Sequence, residues 1–434
     1  MNQRETLKIL DNGHIEIGGL DVKDLAEKFG TPLYVMDRKH IENMCLTYKN
    51  SLDNYYGDGQ VCYASKAFCC KEMYRILNSF NMGADVVSLG EFKTALSVNF
   101  PAKNLVFHGN NKNYADLEFA VKNGIGLIVI DSYLEALDLD EICQKLNVKQ
   151  DVLVRVNPGV EAHTHHYIQT ANIDSKFGFS ISNGDAFNIA KDILQLKNIK
   201  LKGFHCHIGS QIFENKSFLI AVDKMTDFYK KLKNELNFDC DILNLGGGFG
   251  IYYAENDLKY NLDNYSNCIK AICERLLERI DELSLKKPYL ILEPGRSIVG
   301  EAGITLYSVG RIREIKNIKN YIAINGGMFE NPRYALYQAK YTVCAAEKML
   351  QKPVKKYSIA GKCCESGDII AEDCMLPEMK ENDIIAVLST GAYNYSMASN
   401  YNRNCIPPVV MVKNGVAKYV VKPQTHEDIM QNDI

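Results

Sequence analysis

The chain lacks an excess of charge of either sign. Its 434 residues carry 50 Lys and Arg against 53 Asp and Glu, a net charge of −3. A nucleic-acid binder ordinarily shows a basic excess or stripe, and none is visible. Long apolar runs are missing too. The longest uncharged stretch, 384–402, is full of Ser, Thr, Asn, Gly and Tyr, which argues against a membrane span. The first residues, MNQRETLKIL, have no apolar core of a signal peptide. The 14 cysteines show no CxxC spacing. They read as reduced thiols of a cytoplasmic protein, and most of them as small buried hydrophobes. Low-complexity tracts and short repeats are absent as well.

What remains is an ordinary globular composition, 46% hydrophobic and 24% charged. Its length suits two domains, one of which can be as large as a (β/α)₈ barrel of ~250 residues. Short apolar runs at 60–64, 84–87, 104–107, 127–130, 152–156, 202–207, 242–245 and 289–292 alternate with amphipathic helical stretches such as KEMYRILNSF and SYLEALDLDEICQKL. Strands separated by helices pair in parallel, and closing eight of them gives a TIM-like barrel. An open doubly wound sheet is the alternative. After about Glu301 the helices give way to strand-like runs with Gly, Pro and Asn turns. The first 36 residues behave alike, with Asn12-Gly13 marking a hairpin. The expected fold is therefore α/β, with a segment 1–36 completing a mostly β domain at 300–434 and a barrel over 37–299.

Barrel active sites lie at the C-terminal ends of the strands. Reactive groups gather there: Lys66 in YASKAF, His108 after NLVF, Arg155 at the end of VLVRV, His205 and His207 in GFHCHIGSQ, and Glu293 in EPGR. Any one of these is more simply a solvated lysine or a satisfied histidine. Their recurrence at the matching end of successive strands is what points to a site. Gly246-Gly247-Gly248 follow the seventh run and Gly295 the eighth, where barrels commonly hold a phosphate on backbone N–H groups. Tight chain reversal is the plainer explanation of such a run. Neither GxxxxGK[ST] nor GxGxxG with its acidic partner occurs. A phosphate site together with a strand-end lysine suggests pyridoxal 5′-phosphate (PLP): its aldehyde needs an amine, its pyridine nitrogen an acid such as Glu293, and its face a flat group such as His207.

Eight motifs in order then resemble the diaminopimelate decarboxylase family of alanine-racemase-like (fold type III) PLP enzymes. They are YASKA (63–67), HTHHYIQT…DSKFGF (163–179), HCHIGSQI (205–212), LGGGFG (245–250), LEPGRSIV (292–299), GGMFENPRYALY (326–337), GKCCESGD (361–368) and GAYNYSMASNYN (391–402). The likeness runs from about Thr31 to Asn404. It implies that Lys66 forms the Schiff base with PLP, that His207 stacks on the ring and that Glu293 pairs with the pyridine nitrogen. Ser210, Gly247, Gly248, Gly295 and Arg296 would hold the cofactor and its phosphate. Arg296, Arg333 and Tyr337 would grip the carboxylate that stays on the substrate, Glu365 the distal amine, and Tyr393 both cofactor and substrate. Cys364 would return the proton. The resemblance further implies a homodimer with shared sites, an amino-acid substrate, meso-2,6-diaminopimelate, and no metal. The family often has Asp where Asn325 stands and Pro where Tyr334 follows Arg333.

Other readings remain open on the residues alone. Decarboxylases of ornithine, arginine or carboxynorspermidine share the architecture, but in the ornithine-type relative an Asp follows the site cysteine where Glu365 stands here. A metal-dependent barrel hydrolase could use the pairs His163/His165 and His205/His207, leaving the GGG and EPGR elements without a task. A non-enzymatic PLP-binding barrel would keep the lysine and need no second domain.

Overall fold

The computed structural model describes residues 7–160, 175–255 and 257–434. They divide into two compact units: 44–250 with 260–295, and the described residues of 1–43, 251–259 and 296–434. The excursion 251–259 out of the barrel stretch has no counterpart in the hydrophobic rhythm of the sequence.

In the first unit eight parallel strands form a ring: β1 (Gly59–Ala64), β2 (Gly83–Val86), β3 (Leu105–Phe107), β4 (Leu127–Ile130), β5 (Gln150–Asn157), β6 (Ile199–His205), β7 (Ile242–Asn244) and β8 (Tyr289–Leu292). Each pairs with the next in chain order, and β8 returns to β1 with Leu290 opposite Gly59 and Leu292 opposite Val61. That last pairing rules out the open sheet. Cys62, Val106, Val129, Leu153 and Ile291, from five different strands, form a buried layer inside the ring. Return helices start within a few residues of several strand ends because polar caps stop the extended chain. Ser88 and Ser132 accept from the N–H groups of Glu91 and Glu135, and Asn113 forms a reciprocal box with Asp116. Two 22-residue helices, Asn215–Leu236 and Leu262–Leu283, end on Asn237 and Ser284 in the left-handed region.

The second unit is a mixed sheet running, in spatial order, Ile369–Leu376, Lys355–Ala360, Lys319–Ile324, Gly303–Ile315, Leu33–Asp37, Val409–Lys413 and Val416–Val421. Leu33–Asp37 sits between strands from the far end of the chain, antiparallel to Gly303–Ile315 and parallel to Val409–Lys413. The hairpin Leu7–Ile9 with Ile15–Ile17 turns through Asn12-Gly13, Gly13 having φ +83°. Its Leu7, Ile15 and Ile17 are buried with Leu33, Val35, Leu306 and Val410. The β domain is thus assembled from both ends of the sequence. All 14 cysteines are free thiols, nine of them buried, and Cys364 is the one that is exposed. No helix among the described residues is long and apolar enough to cross a membrane.

Candidate active site

At the C-terminal mouth of the barrel a buried carboxylate organises its neighbours. Glu293 follows β8 and is 6% exposed. Its Oε1 meets His108 Nε2 at 2.8 Å and accepts from Asn244 Nδ2 at 2.7 Å, while His205 Nε2 lies 3.3 Å from Oε2. Burial by itself would raise the carboxyl, but electrostatic attraction to His108 and His205 and the hydrogen bonds they make outweigh it and hold Glu293 well below the usual carboxylate range. Burial pushes His205 down to about 3, against the attraction of Glu293, so its ring is neutral. Burial also holds His207 well below its ordinary value, reinforced by the positive charges of Lys66 and Arg155. The result is a fixed anion next to a neutral, flat imidazole.

His108, His205 and Glu293 could also be read as a metal triad, since their ligand atoms lie within 4.8 Å of one another. The Nε2 atom of each histidine is, however, turned onto the carboxylate itself. His163, His165 and the HTHHYIQT segment lie outside the described residues.

Lys66 stands in the single turn Ser65–Ala67 directly after β1. That turn is tied to the next strand, because Ser65 N–H donates to Asp85 Oδ1 at 3.2 Å and Tyr74 Oη to Ser65 Oγ at 3.0 Å. Burial, helped by the nearby Glu293 charge, lifts the Asp85 carboxyl to about 6, while His108 and Lys66 oppose the shift.

The three glycines after β7 are required by chain packing. A Cβ on Gly246 (φ +66°) would fall 2.6 Å from the Cys206 carbonyl, one on Gly247 2.1 Å from the Glu293 carbonyl, and one on Gly248 (φ +116°) 2.5 Å from that of Gly209. Gly247 N–H donates to His207 Nδ1 at 3.4 Å, and Gly248 C=O accepts from Ile212 N–H at 2.9 Å, closing over the turn that carries Ser210. Gly295 packs in the same manner, with its Cβ position 2.7 Å from that of Ala64. Tight packing and a backbone cradle are therefore the same feature here. A lysine, a neutral flat ring, a buried anion and a glycine-walled turn are the donor set that PLP requires, and the barrel supplies all four.

The second unit carries the other expected residues. Arg296 Nη1 donates to Tyr253 Oη at 2.5 Å, and the guanidinium lies 4.7 Å from the Tyr393 ring centre. Arg333, 5% exposed, stands 4.3 Å over the Tyr253 ring and donates to Tyr341 Oη at 3.0 Å. Among the described residues Arg333 meets no carboxylate. Tyr337 is 37% exposed, and Cys364 and Glu365 lie on an exposed loop. The two departures from the family pattern have local reasons. Asn325 Nδ2 donates to both the carbonyl and Oγ1 of Thr31 at 2.8 Å while its Oδ1 accepts from Ser308 N–H, a role an aspartate could not fill. Tyr334 Oη donates to Glu372 at 2.6 Å.

Sequence reasoning missed Asn244, Asp85, Tyr253 and Tyr341. Asn244, the one polar residue of its strand, was visible in ILNL as an anomaly. The two tyrosines lie in stretches with no motif, so nothing in the sequence marked them.

Residues 38–300 match the family model described as the pyridoxal binding domain of pyridoxal-dependent decarboxylases. The chain is 46% identical over 423 residues to the diaminopimelate decarboxylase of Bacillus subtilis (strain 168), covering 98% of this chain and 96% of that protein. The identity to the diaminopimelate decarboxylase of Staphylococcus aureus (strain COL) is 43% over 429 residues, 99% of each. Among solved structures, the diaminopimelate decarboxylase from M. jannaschii in complex with L-lysine superposes with a TM-score of 0.90 at 32% identity, covering 100% of this chain and 99% of that one.

Proposed function

Because the chain belongs to the diaminopimelate decarboxylase family, we propose that it converts meso-2,6-diaminopimelate to L-lysine and CO₂, the last step of lysine biosynthesis, with the residues assigned as follows. Bound PLP supplies the electron sink that makes loss of CO₂ feasible. In the barrel, Lys66 provides the amine that anchors the cofactor's aldehyde. His207 offers the ring a neutral face, and Glu293, held anionic, keeps a proton on the pyridine nitrogen. Ser210, Gly247, Gly248, Gly295 and Arg296 hold the phosphate and its surroundings. Arg296, Arg333 and Tyr337 bind the carboxylate that is kept, Glu365 the distal ammonium, and Tyr393 both ligands. Cys364 Sγ carries the proton delivered to the carbon that has lost CO₂. Cys364 and Glu365 act across a homodimer, in the cytoplasm.

The observation that carries the substrate choice is Arg333. A buried guanidinium walled by tyrosines, with no acid beside it among the described residues, is costly until an anion arrives. Diaminopimelate has a second carboxylate to offer it, and ornithine has none. Purified protein supplied with PLP and, in turn, meso-diaminopimelate, ornithine, arginine and carboxynorspermidine tests this by released CO₂ and product. Turnover of diaminopimelate alone is expected; preferential release of CO₂ from ornithine would overturn the assignment of Arg333.

A further inference from the structure

The loop that bears Cys364 and Glu365 is exposed from Cys364 to Gly367 and ends in a residue that is not: Asp368 is 2% exposed. Its Oδ1 accepts from Met328 N–H at 2.6 Å and its Oδ2 from Cys363 N–H at 2.7 Å. Backbone bonds close the loop around it. Gly361 N–H donates to the Asp368 carbonyl at 2.9 Å, Asp368 N–H to that of Glu365 at 3.1 Å, and Lys362 N–H to that of Gly326 at 2.9 Å. The carboxylate therefore joins two segments, the turn 326–328 that leads to Arg333 and the loop 361–368. Glycines leave room for it on both sides. A Cβ on Gly327 or Gly361 would come within 2.5 Å or 2.2 Å of its oxygens. Burial raises the Asp368 carboxyl, and the N–H donors of Cys363 and Met328 oppose the shift.

We infer that Asp368 is a positioning residue: it fixes the loop 361–368 against the turn 326–328, so that Cys364 and Glu365 are presented in one place relative to the segment carrying Arg333. This rests on the reading of Cys364 as the proton donor. Asp368→Asn keeps the shape but turns an NH₂ group toward one of the two backbone N–H donors, breaking one of the two ties. A loop released by ~1 Å costs about 10²-fold in turnover.

The test is a double-mutant cycle in the PLP-loaded enzyme, with D368N, C364A and the pair, reading kcat and KM for meso-diaminopimelate, the cofactor absorbance and the melting temperature. D368N is expected to keep the absorbance and to lower kcat by about 10²-fold, while in the C364A background it changes kcat less than about threefold, because the group it positions is gone. Should D368N not fold, Gly327→Ala, which presses on the same carboxylate, replaces it in the cycle with the same expectation. Equal losses in both backgrounds, or D368N turning over like the parent, would overturn the inference. C364A at full rate refutes instead the proton-donor reading beneath it, so the two failures are told apart.

Discussion

Gly247→Ala isolates what the glycine-rich turn does. Gly247 does not lie at positive φ, so alanine meets no backbone strain there and only space is at issue. The added Cβ would stand 2.1 Å from the Glu293 carbonyl oxygen, well inside the 3.4 Å at which ordinary contact begins. About 1.3 Å must therefore be found by moving the turn away from the end of β8. Neither side yields easily. Glu293 N–H donates to the Gly246 carbonyl at 2.7 Å, and the Pro294 carbonyl accepts from Ala64 N–H at 3.1 Å. Overpacking of this kind costs ~1–3 kcal/mol of stability. Its larger effect falls on function, because the displaced groups are Glu293, the His207 partner and the proposed phosphate cradle, and a shift of ~1 Å costs about 10²-fold. Titration with PLP followed by absorbance, together with kcat/KM and the melting temperature, reads all three. Gly90→Ala is the control: it lies in a helix with nothing nearer than Ser88 Oγ at 3.5 Å, and should be neutral or stabilising by ~1 kcal/mol. A Gly247→Ala enzyme that binds PLP and turns over like its parent would show that the turn is not a rigid part of the site.

Arg333→Ala should lower kcat/KM for diaminopimelate by ~10²–10³, the cost of leaving a buried carboxylate without its partner, and leave PLP absorbance unchanged. Parallel loss of cofactor and activity would make Arg333 structural. Burial lifts the Glu330 carboxyl to about 8 from an ordinary 4.5, so between those values the folded chain holds a proton that the unfolded chain has released, and folding stability drops as pH rises through that window by up to ~1.4 kcal/mol per unit. Glu330→Gln should therefore melt higher than the parent near pH 8, with the advantage vanishing toward pH 4.5; a difference independent of pH would contradict the burial argument.

The barrel was legible because its signal is repetitive. All eight apolar runs read from the sequence coincide with strands of the ring, since a strand buried on both faces must be continuously apolar and a parallel neighbour must wait for a helix. The strand-end position of Lys66, the histidines and Glu293 follows from that register. The excursion 251–259 was hidden for the opposite reason: nine residues leaving one unit for another carry no period and no cap.

The less legible part is how charge is kept inside each unit. In the barrel Glu293 is stabilised by directed donors, and one of them, Asn244, is an ordinary-looking residue whose Oδ1 also accepts from Gly246 N–H at 2.9 Å. The same side chain thus fixes the acid and the first glycine of the turn, which is why a single polar atom pair in an apolar strand is tolerated. In the second unit the cation Arg333 is stabilised by aromatic faces and one hydroxyl, with no counter-charge among the described residues. Donors satisfy an anion fully and leave it fixed; ring faces satisfy a cation only in part and leave its N–H groups seeking an acceptor. The first arrangement suits a group that must stay ionised through every turnover, the second a group that must bind and release a carboxylate. Motifs marked Glu293 and Arg333 equally, and only their surroundings separate the two proposed roles.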